Sequence, residues 1–420
     1  MLEWFQPFYA LYLIVRCALS VLEWVLIRTL GWKRIIVEEL TKPIEDLAEI
    51  RTILYRKKAF ESDYARAQDF ITWPLRLVDP KELCHPRWTI YSITENHVYL
   101  IYGPRTMADY NASNVPFILF AQFEDAWLLA RLPVRKFENL YPDVLPAHRC
   151  RVVYMSNCPR AGTTLTTQVL QETSDKIIAL SEPDAFTHLG YLKHENAFSE
   201  KQLHSLIRSV LAHICLTFDG DQTCVIKTQS NGGLMVPDIV KACPDVKHVF
   251  IHRRNMLKVL SSIERMFQVE KLATVALSLK TLPVWFSKFW LGFVRFEPML
   301  WKFMPEADDI LDYSFMFYAL PYARFHHDRK NGVKLHDVAY EDLVAKPQET
   351  TKALLDFIGI EGDVDKGAAA IGKKDSQAGS VLSQDRLAKI PSHTPTTEQI
   401  QFYNTVCTER LHIPPLFGDN

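Results

Sequence analysis

Residues 152–170, VVYMSNCPRAGTTLTTQVL, run from an apolar stretch through a Pro-Arg-Ala-Gly turn into two threonines and a helical pattern. Few folds accept that order. An apolar run without polar alternation is a strand covered on both faces, which belongs in a parallel sheet flanked by helices. The turn that follows gathers backbone N–H groups, the Thr163 and Thr164 hydroxyls and the Arg160 guanidinium around one point, a cradle for a phosphate or sulfate. The general nucleotide loop G-x-x-x-x-G-K-[ST] fits poorly. Thr163 stands where that loop has lysine, and Asn157 where it has its first glycine. A plain structural reading also exists, with Thr163 or Thr164 capping a helix and Gly162 relieving a bend.

The segment Pro159, Arg160, Ala161, Gly162, Thr163, Thr164, Leu165 resembles the phosphosulfate-binding loop of the sulfotransferase family, whose membrane-linked members often read P-R-x-G-T-T-L. The resemblance implies that Arg160 meets the sulfate and bridging oxygen of 3′-phosphoadenosine 5′-phosphosulfate. It also implies that Thr163, Thr164 and the N–H groups of the loop through Ala161 and Gly162 hold the 5′-phosphate.

A second segment, HVFIHRRNMLKVLSSIERMF at 248–267, is a strand that ends in two arginines and continues as a helix marked by Leu257, Leu260, Ile263 and Phe267. In the same family a strand-end arginine and a serine eight residues later bind the 3′-phosphate. Arg254 with Ser262 fits that offset, and Arg253 with Ser261 fits it equally. Arg254 is preferred because Arg-Asn before an apolar helix is the commoner family form, and a planar guanidinium suits a phosphate.

Between the two lies TCVIKTQ at 223–229, a strand ending in Lys227. Cytosolic sulfotransferases carry Lys-Thr-His there, with the histidine as base. This chain has Gln229, which cannot take a proton, so the base is sought in Ser181-Glu182-Pro183-Asp184: Glu182 first, with Asp184 as its neighbour and contender. Related Golgi enzymes place a glutamate at a similar offset. In this reading Arg160 and Lys227 neutralise charge on the leaving phosphate. Further on, AYEDL at 339–343 and FIGI at 357–360 again resemble the family, with Tyr340 against the adenine ring. The stretch holding Lys373, Lys374, Ser376 and Gly379 resembles its late loop over the 3′-phosphate.

Formal net charge is −1, so no basic excess points to nucleic acid. The eight cysteines show no C-x-x-C spacing, and several sit in apolar runs as buried thiols. No metal ligand set is visible, and guanidinium and ammonium groups supply the positive charge that a metal would.

Residues 5–31 are apolar and aromatic but interrupted by Arg16 and Glu23, seven apart and so on one helical face. Their insertion sum is near zero, which allows a spanning helix, an interfacial helix or one docked on the protein itself. Nothing here resembles a cleaved signal. Arg28, Lys33 and Arg34 follow the segment, which would face the rest of the chain to the cytosol, whereas Golgi sulfotransferases and the sequon Asn111-Ala112-Ser113 point to a lumen. Membrane association is expected and its side is left open.

From about 35 to 72 the pattern predicts helix, with Ile44, Leu47, Ile50, Ile53 and Leu54 as its buried stripe. Trp88–Ile93, Val98–Tyr102 and Phe117–Phe120 read as strands of a small β-rich extension ending near Pro146. Residues 268–325 are dense in aromatics, from Trp285, Phe286 and Phe289 to Tyr313, Phe315, Phe317 and Tyr318, which read as core or as an apolar acceptor pocket.

The chain is thus expected to be α/β, a sulfotransferase-like parallel sheet flanked by helices. An apolar membrane-associated helix occupies 1–34, a helical and β-rich extension 35–145, and the α/β domain 146–415. The expected reaction moves a sulfuryl group to the hydroxyl or amine of a small-molecule, lipid-like or protein acceptor. A P-loop nucleotide kinase or hydrolase and a non-catalytic membrane-bound relative are the alternatives.

Overall fold

The computed structural model describes residues 2–30, 44–58, 63–141, 150–269, 297, 299–300, 306–372 and 383–418. Helix α1 (Leu2–Leu30) leads into an antiparallel sheet of β1 (Ala48–Arg56), β2 (Phe70–Val78), β3 (Trp88–Ile93), β4 (His97–Tyr102) and β5 (Leu128–Pro133), in the order β2-β1-β5-β4-β3. Helix α2 (Ile118–Asp125) lies between β4 and β5.

Two sequence expectations give way here. The segment expected as helix around Ile50 and Ile53 is strand β1. Ala48 and Ile50 enter the core, while Glu49 and Arg51 are buried by pairing with Arg131 and with Glu23 of α1, so charged positions are enclosed and the i, i+3 spacing of the isoleucines marks no helical face. Phe117–Phe120, expected as a strand, instead opens α2, because Ile118, Leu119 and Gln122 fall on one buried helical face. Gln122 anchors that face by donating to Thr89 Oγ1 at 2.9 Å and to the Ile90 carbonyl at 3.1 Å. The expected boundary at Pro146 lies outside the described residues.

The second sheet is parallel throughout. Strand β6 (Arg151–Asn157) is followed by α3 (Thr163–Thr173), β7 (Ile177–Ser181), α4 (Ala185–His194), α5 (Glu200–Ile214) and β8 (Thr223–Lys227). Then come α6 (Val236–Ala242), β9 (Lys247–His252), α7 (Met256–Val269), α8 (Ile310–Lys330), β10 (Leu335–Ala339), α9 (Tyr340–Ala345) and α10 (Pro347–Ile358). The strand order is β10-β9-β6-β8-β7, so the chain starts at the centre, builds one flank and crosses to the other. That crossover leaves a crevice at the carboxyl ends of the strands, where open α/β sheets bind ligands. Helix α7 buries Met256, Val259, Leu260, Ile263 and Phe267, while Leu257, expected in the stripe, faces solvent.

One hydrophobic core runs through both sheets. Ile50, Ile90, Leu100 and Leu132 of the antiparallel sheet pack in the same cluster as Tyr154, Leu180, Phe186, Leu206 and Ile226 of the parallel half. A second core, holding Val153, Val249, Tyr313, Phe315 and Tyr318, covers the other face. Tyr313, Phe315 and Tyr318 are therefore packing residues, and the aromatics from Trp285 to Phe303 lie outside the described residues. The free edge of β7 is closed by the extension: Asn111 bridges to Leu180, and the Ala112 N–H donates to the Ala179 carbonyl at 2.8 Å. None of the eight cysteines is joined in a disulfide, and six of them are buried.

Candidate active site

Five residues singled out in the sequence follow, or end, five different parallel strands: Arg160 after β6, Glu182 after β7, Lys227 closing β8, Arg254 after β9 and Tyr340 after β10. The sheet register sets them on one edge.

The loop after β6 turns sharply. Arg160 adopts φ +59° and Gly162 φ +80°, so two of three successive residues occupy the left-handed region and helix α3 starts at Thr163. Only glycine fits at 162 for a second reason, since a Cβ there would stand 2.3 Å from Cδ2 of Tyr340. The Arg160 Nε donates to Ser262 Oγ on α7 at 2.8 Å, tying the loop after β6 to the helix after β9. Asn157, where a nucleotide loop has glycine, is buried and donates from Nδ2 to the Thr228 carbonyl at 2.6 Å, bracing β6 against β8. Ala161, Thr163 and Thr164 are buried at the foot of the loop.

Glu182 is the second non-glycine residue of the site held at positive φ, +62°. Its N–H donates to the Lys227 carbonyl at 2.7 Å, and its Oε1 accepts from Lys227 Nζ. The Lys227 side chain is 2 % exposed and that of Glu182 19 % exposed, so the ammonium is enclosed while the carboxylate reaches the open side. Lys227 also donates to Ser181 Oγ at 3.3 Å and lies 5.3 Å from the centroid of the Phe117 ring.

Asp184 is placed differently. It is 2 % exposed, accepting from the Ala65 N–H at 2.7 Å and from Gln229 Nε2 at 3.0 Å, and burial pushes its carboxyl up to about 7. Gln229 therefore serves as a brace for Asp184. Tyr64 stands in the same wall, its hydroxyl accepting from Asn231 Nδ2 at 3.2 Å, and burial raises its pKa well above the ordinary value. His188 Nε2 meets the Ala65 carbonyl at 2.8 Å.

The arginines after β9 part company. Arg254 forms a two-pronged pair with Asp342 on α9, at 2.9 Å and 2.5 Å, with its side chain 58 % exposed. The Arg254 and Asn255 N–H groups donate to Glu341 at 3.0 and 3.1 Å. Arg253 turns inward, its guanidinium 4.5 Å from the centroid of Tyr340, which itself covers Gly162. Among the described residues neither expected arginine–serine pair is in hydrogen-bond contact: Ser262 serves Arg160, and Ser261 bonds Ser392 at 2.8 Å. Lys374 lies outside the described residues.

Tyr64, Ala65 and Phe117 stand at this edge without any sequence motif to announce them. All three come from the extension, and no motif marks a contact made 119 residues apart. Among the described residues no group of three or more His, Cys, Asp or Glu could hold a metal ion.

No protein-family model matches the chain. No curated protein matches it. Among solved structures, the sulfotransferase domain from the curacin biosynthetic pathway aligns at 13 % identity, covering 63 % of this chain and 98 % of that one, with a TM-score of 0.31. A sulfotransferase from Mycobacterium avium aligns at 12 % identity over 67 % of this chain and 82 % of its own, at 0.35. One from Alicyclobacillus acidocaldarius aligns at 14 % over 63 % and 96 %, at 0.32.

Proposed function

We propose that the chain is a sulfotransferase that takes a sulfuryl group from 3′-phosphoadenosine 5′-phosphosulfate and delivers it to an acceptor hydroxyl or amine. The observation that carries the proposal is the Lys227–Glu182 pair, set at the ends of adjacent strands beside the left-handed loop that carries Arg160. A carboxylate that reaches the open side beside an anion cradle is what transfer from an anionic donor to a neutral nucleophile requires.

The residues fit such a donor on structural grounds. A loop with two left-handed residues points its N–H groups inward as an anion-binding concavity. Gly162, lacking a Cβ, lets the Tyr340 ring close over that loop, and the Arg253 guanidinium lies 4.5 Å from the centroid of the same ring. Arg160, Thr163, Thr164 and the start of α3 would hold the 5′-phosphosulfate, with Arg254 and Ser262 toward the 3′-phosphate. When bound, the donor supplies the sulfuryl group and the phosphate leaving group. Glu182 receives the proton of the acceptor at its carboxylate. Lys227 fixes the rotamer of Glu182 and presents positive charge to the leaving side together with Arg160. Strain at Arg160 and Glu182, each a non-glycine residue in the left-handed region, is the kind of backbone distortion that active sites retain.

The test compares thermal shifts with adenosine 3′,5′-bisphosphate and with ATP plus magnesium, followed by an acceptor screen using radiolabelled donor on the parent chain and on Glu182→Gln. Preference for the bisphosphate and transfer that depends on Glu182 are expected. Preference for magnesium-ATP would replace the proposal with a nucleotide kinase or hydrolase. Bisphosphate binding without transfer to any acceptor would make the chain a non-catalytic relative.

A further inference from the structure

Helix α1 is built inside out. Between Phe8 and Leu26 it carries two charged residues, Arg16 and Glu23, and both point into the protein. Arg16 Nε donates to the Phe70 carbonyl at 3.4 Å, and Glu23 takes both prongs of the Arg51 guanidinium at 2.9 and 2.5 Å. Tyr12 donates to the Gln68 carbonyl at 2.7 Å, and the Tyr9 hydroxyl accepts from Arg66 at 3.2 Å. A cleft of about 360 Å³ lined by Arg16, Glu23, Arg51, Thr72 and Arg131 runs along this side.

The outward side is the reverse. Leu11, Ile14, Val21, Leu22 and Val25 form one exposed stripe that contains no charge, with Trp24 at its margin. A helix on a water-facing surface buries its apolar stripe and shows its polar one. This helix spends its polar residues on the sheet and shows hydrocarbon.

We propose that α1 lies flat in the headgroup region of a bilayer, its outward stripe in the acyl boundary, and that it does not cross. The contacts run from Tyr9, at Arg66 just before β2, to Glu23, at Arg51 of β1, which at 1.5 Å per residue is roughly 20 Å of helix. A crossing helix of this length has to thread a hydrocarbon layer about 30 Å thick. It would drag Arg51, Glu49 and Arg131 of the docked sheet into that layer, where charged groups are strongly disfavoured. Lying in the plane keeps those groups wet and covers only the stripe. Arg28, Lys33 and Arg34, which follow in the sequence, complement anionic lipid headgroups. This inference stands apart from the transfer chemistry and survives its failure.

The test adds the full-length chain to preformed sealed vesicles, either of phosphatidylcholine alone or equimolar with phosphatidylserine. Flotation with the vesicles is expected, stronger with phosphatidylserine. Leu11→Glu and Leu22→Glu are each expected to cut partitioning by roughly tenfold or more without moving the thermal midpoint, since both side chains are exposed. The milder Leu22→Gln covers the case in which a glutamate variant misfolds. Tags at both ends should be open to protease from outside. A protected N-terminal tag would mean a crossing helix and overturn the proposal. So would failure to float with either vesicle, or a dimer in lipid-free solution that Leu22→Glu splits while partitioning is unchanged.

Discussion

Glu182 and Lys227 close the ends of neighbouring parallel strands, with the lysine side chain almost wholly enclosed and the glutamate extending from it to the open edge of the sheet. The pair sets two separable expectations. Under the proposed transfer, Glu182→Gln should lower turnover by about a hundredfold or more while leaving adenosine 3′,5′-bisphosphate affinity within a few-fold, because it removes the proposed proton acceptor and leaves the loop proposed to hold the anion. Glu182→Ala should also cost roughly 2–3 kcal/mol of stability, at or below the low end for buried pairs because the carboxylate keeps contact with water. Sulfate-transfer kinetics and chemical denaturation measure the two effects.

Gly162 should be intolerant of alanine on two counts that a double variant separates. Gly162→Ala meets both the positive φ, costing about 1–2 kcal/mol, and the Tyr340 ring at 2.3 Å. Adding Tyr340→Ala removes the collision and leaves the backbone cost. Calorimetry is expected to show partial recovery of the midpoint in the double variant and none of its bisphosphate affinity.

Asp184 makes stability fall as pH rises. Burial holds its folded-state pKa near 7, above the ordinary aspartate value, so between about 4 and 7 the folded chain binds more protons than the unfolded one. The stabilising contribution is complete below that window and is lost on passing upward through it, at a slope of up to about 1.4 kcal/mol per pH unit. Urea melts from pH 5 to 8 should show the decline, and Asp184→Asn should flatten it.

Arg254 offers a competition experiment. Its guanidinium is held by Asp342, and if it also grips the 3′-phosphate, Asp342→Ala should tighten bisphosphate binding several-fold while Arg254→Ala weakens it at least tenfold. Titration calorimetry on the two variants reads both. Loss confined to Arg253→Ala would move the phosphate contact to the arginine beside Tyr340.

What could be read in the chain beforehand was whatever is encoded within a few residues. The β6–loop–α3 unit is legible because the strand, the turn glycine and the threonines are contiguous, and so is the end of β8 at Lys227, whereas β9 stops at His252, just before the two arginines expected to close it. The destination of each arginine was not, because it depends on α9, which brings Tyr340 and Asp342 from some ninety residues downstream. Strand β1 is not legible because its isoleucines satisfy a helical spacing by accident, and its buried Glu49 and Arg51 find their partners only in Arg131 of β5 and Glu23 of α1. Helix α2 was misread because four apolar residues in a row fit either period until Gln122 finds Thr89 and Ile90.

The hydrogen bond from Ala65 to Asp184 bears on how this polypeptide can be handled. A fragment begun at Arg151 would keep every recognisable motif yet lose Tyr64, Ala65 and Phe117, stripping one wall from the candidate site and baring the aspartate to solvent. Binding and transfer measured on such a fragment would report on a cleft lacking that wall, so assays belong on the chain with its extension.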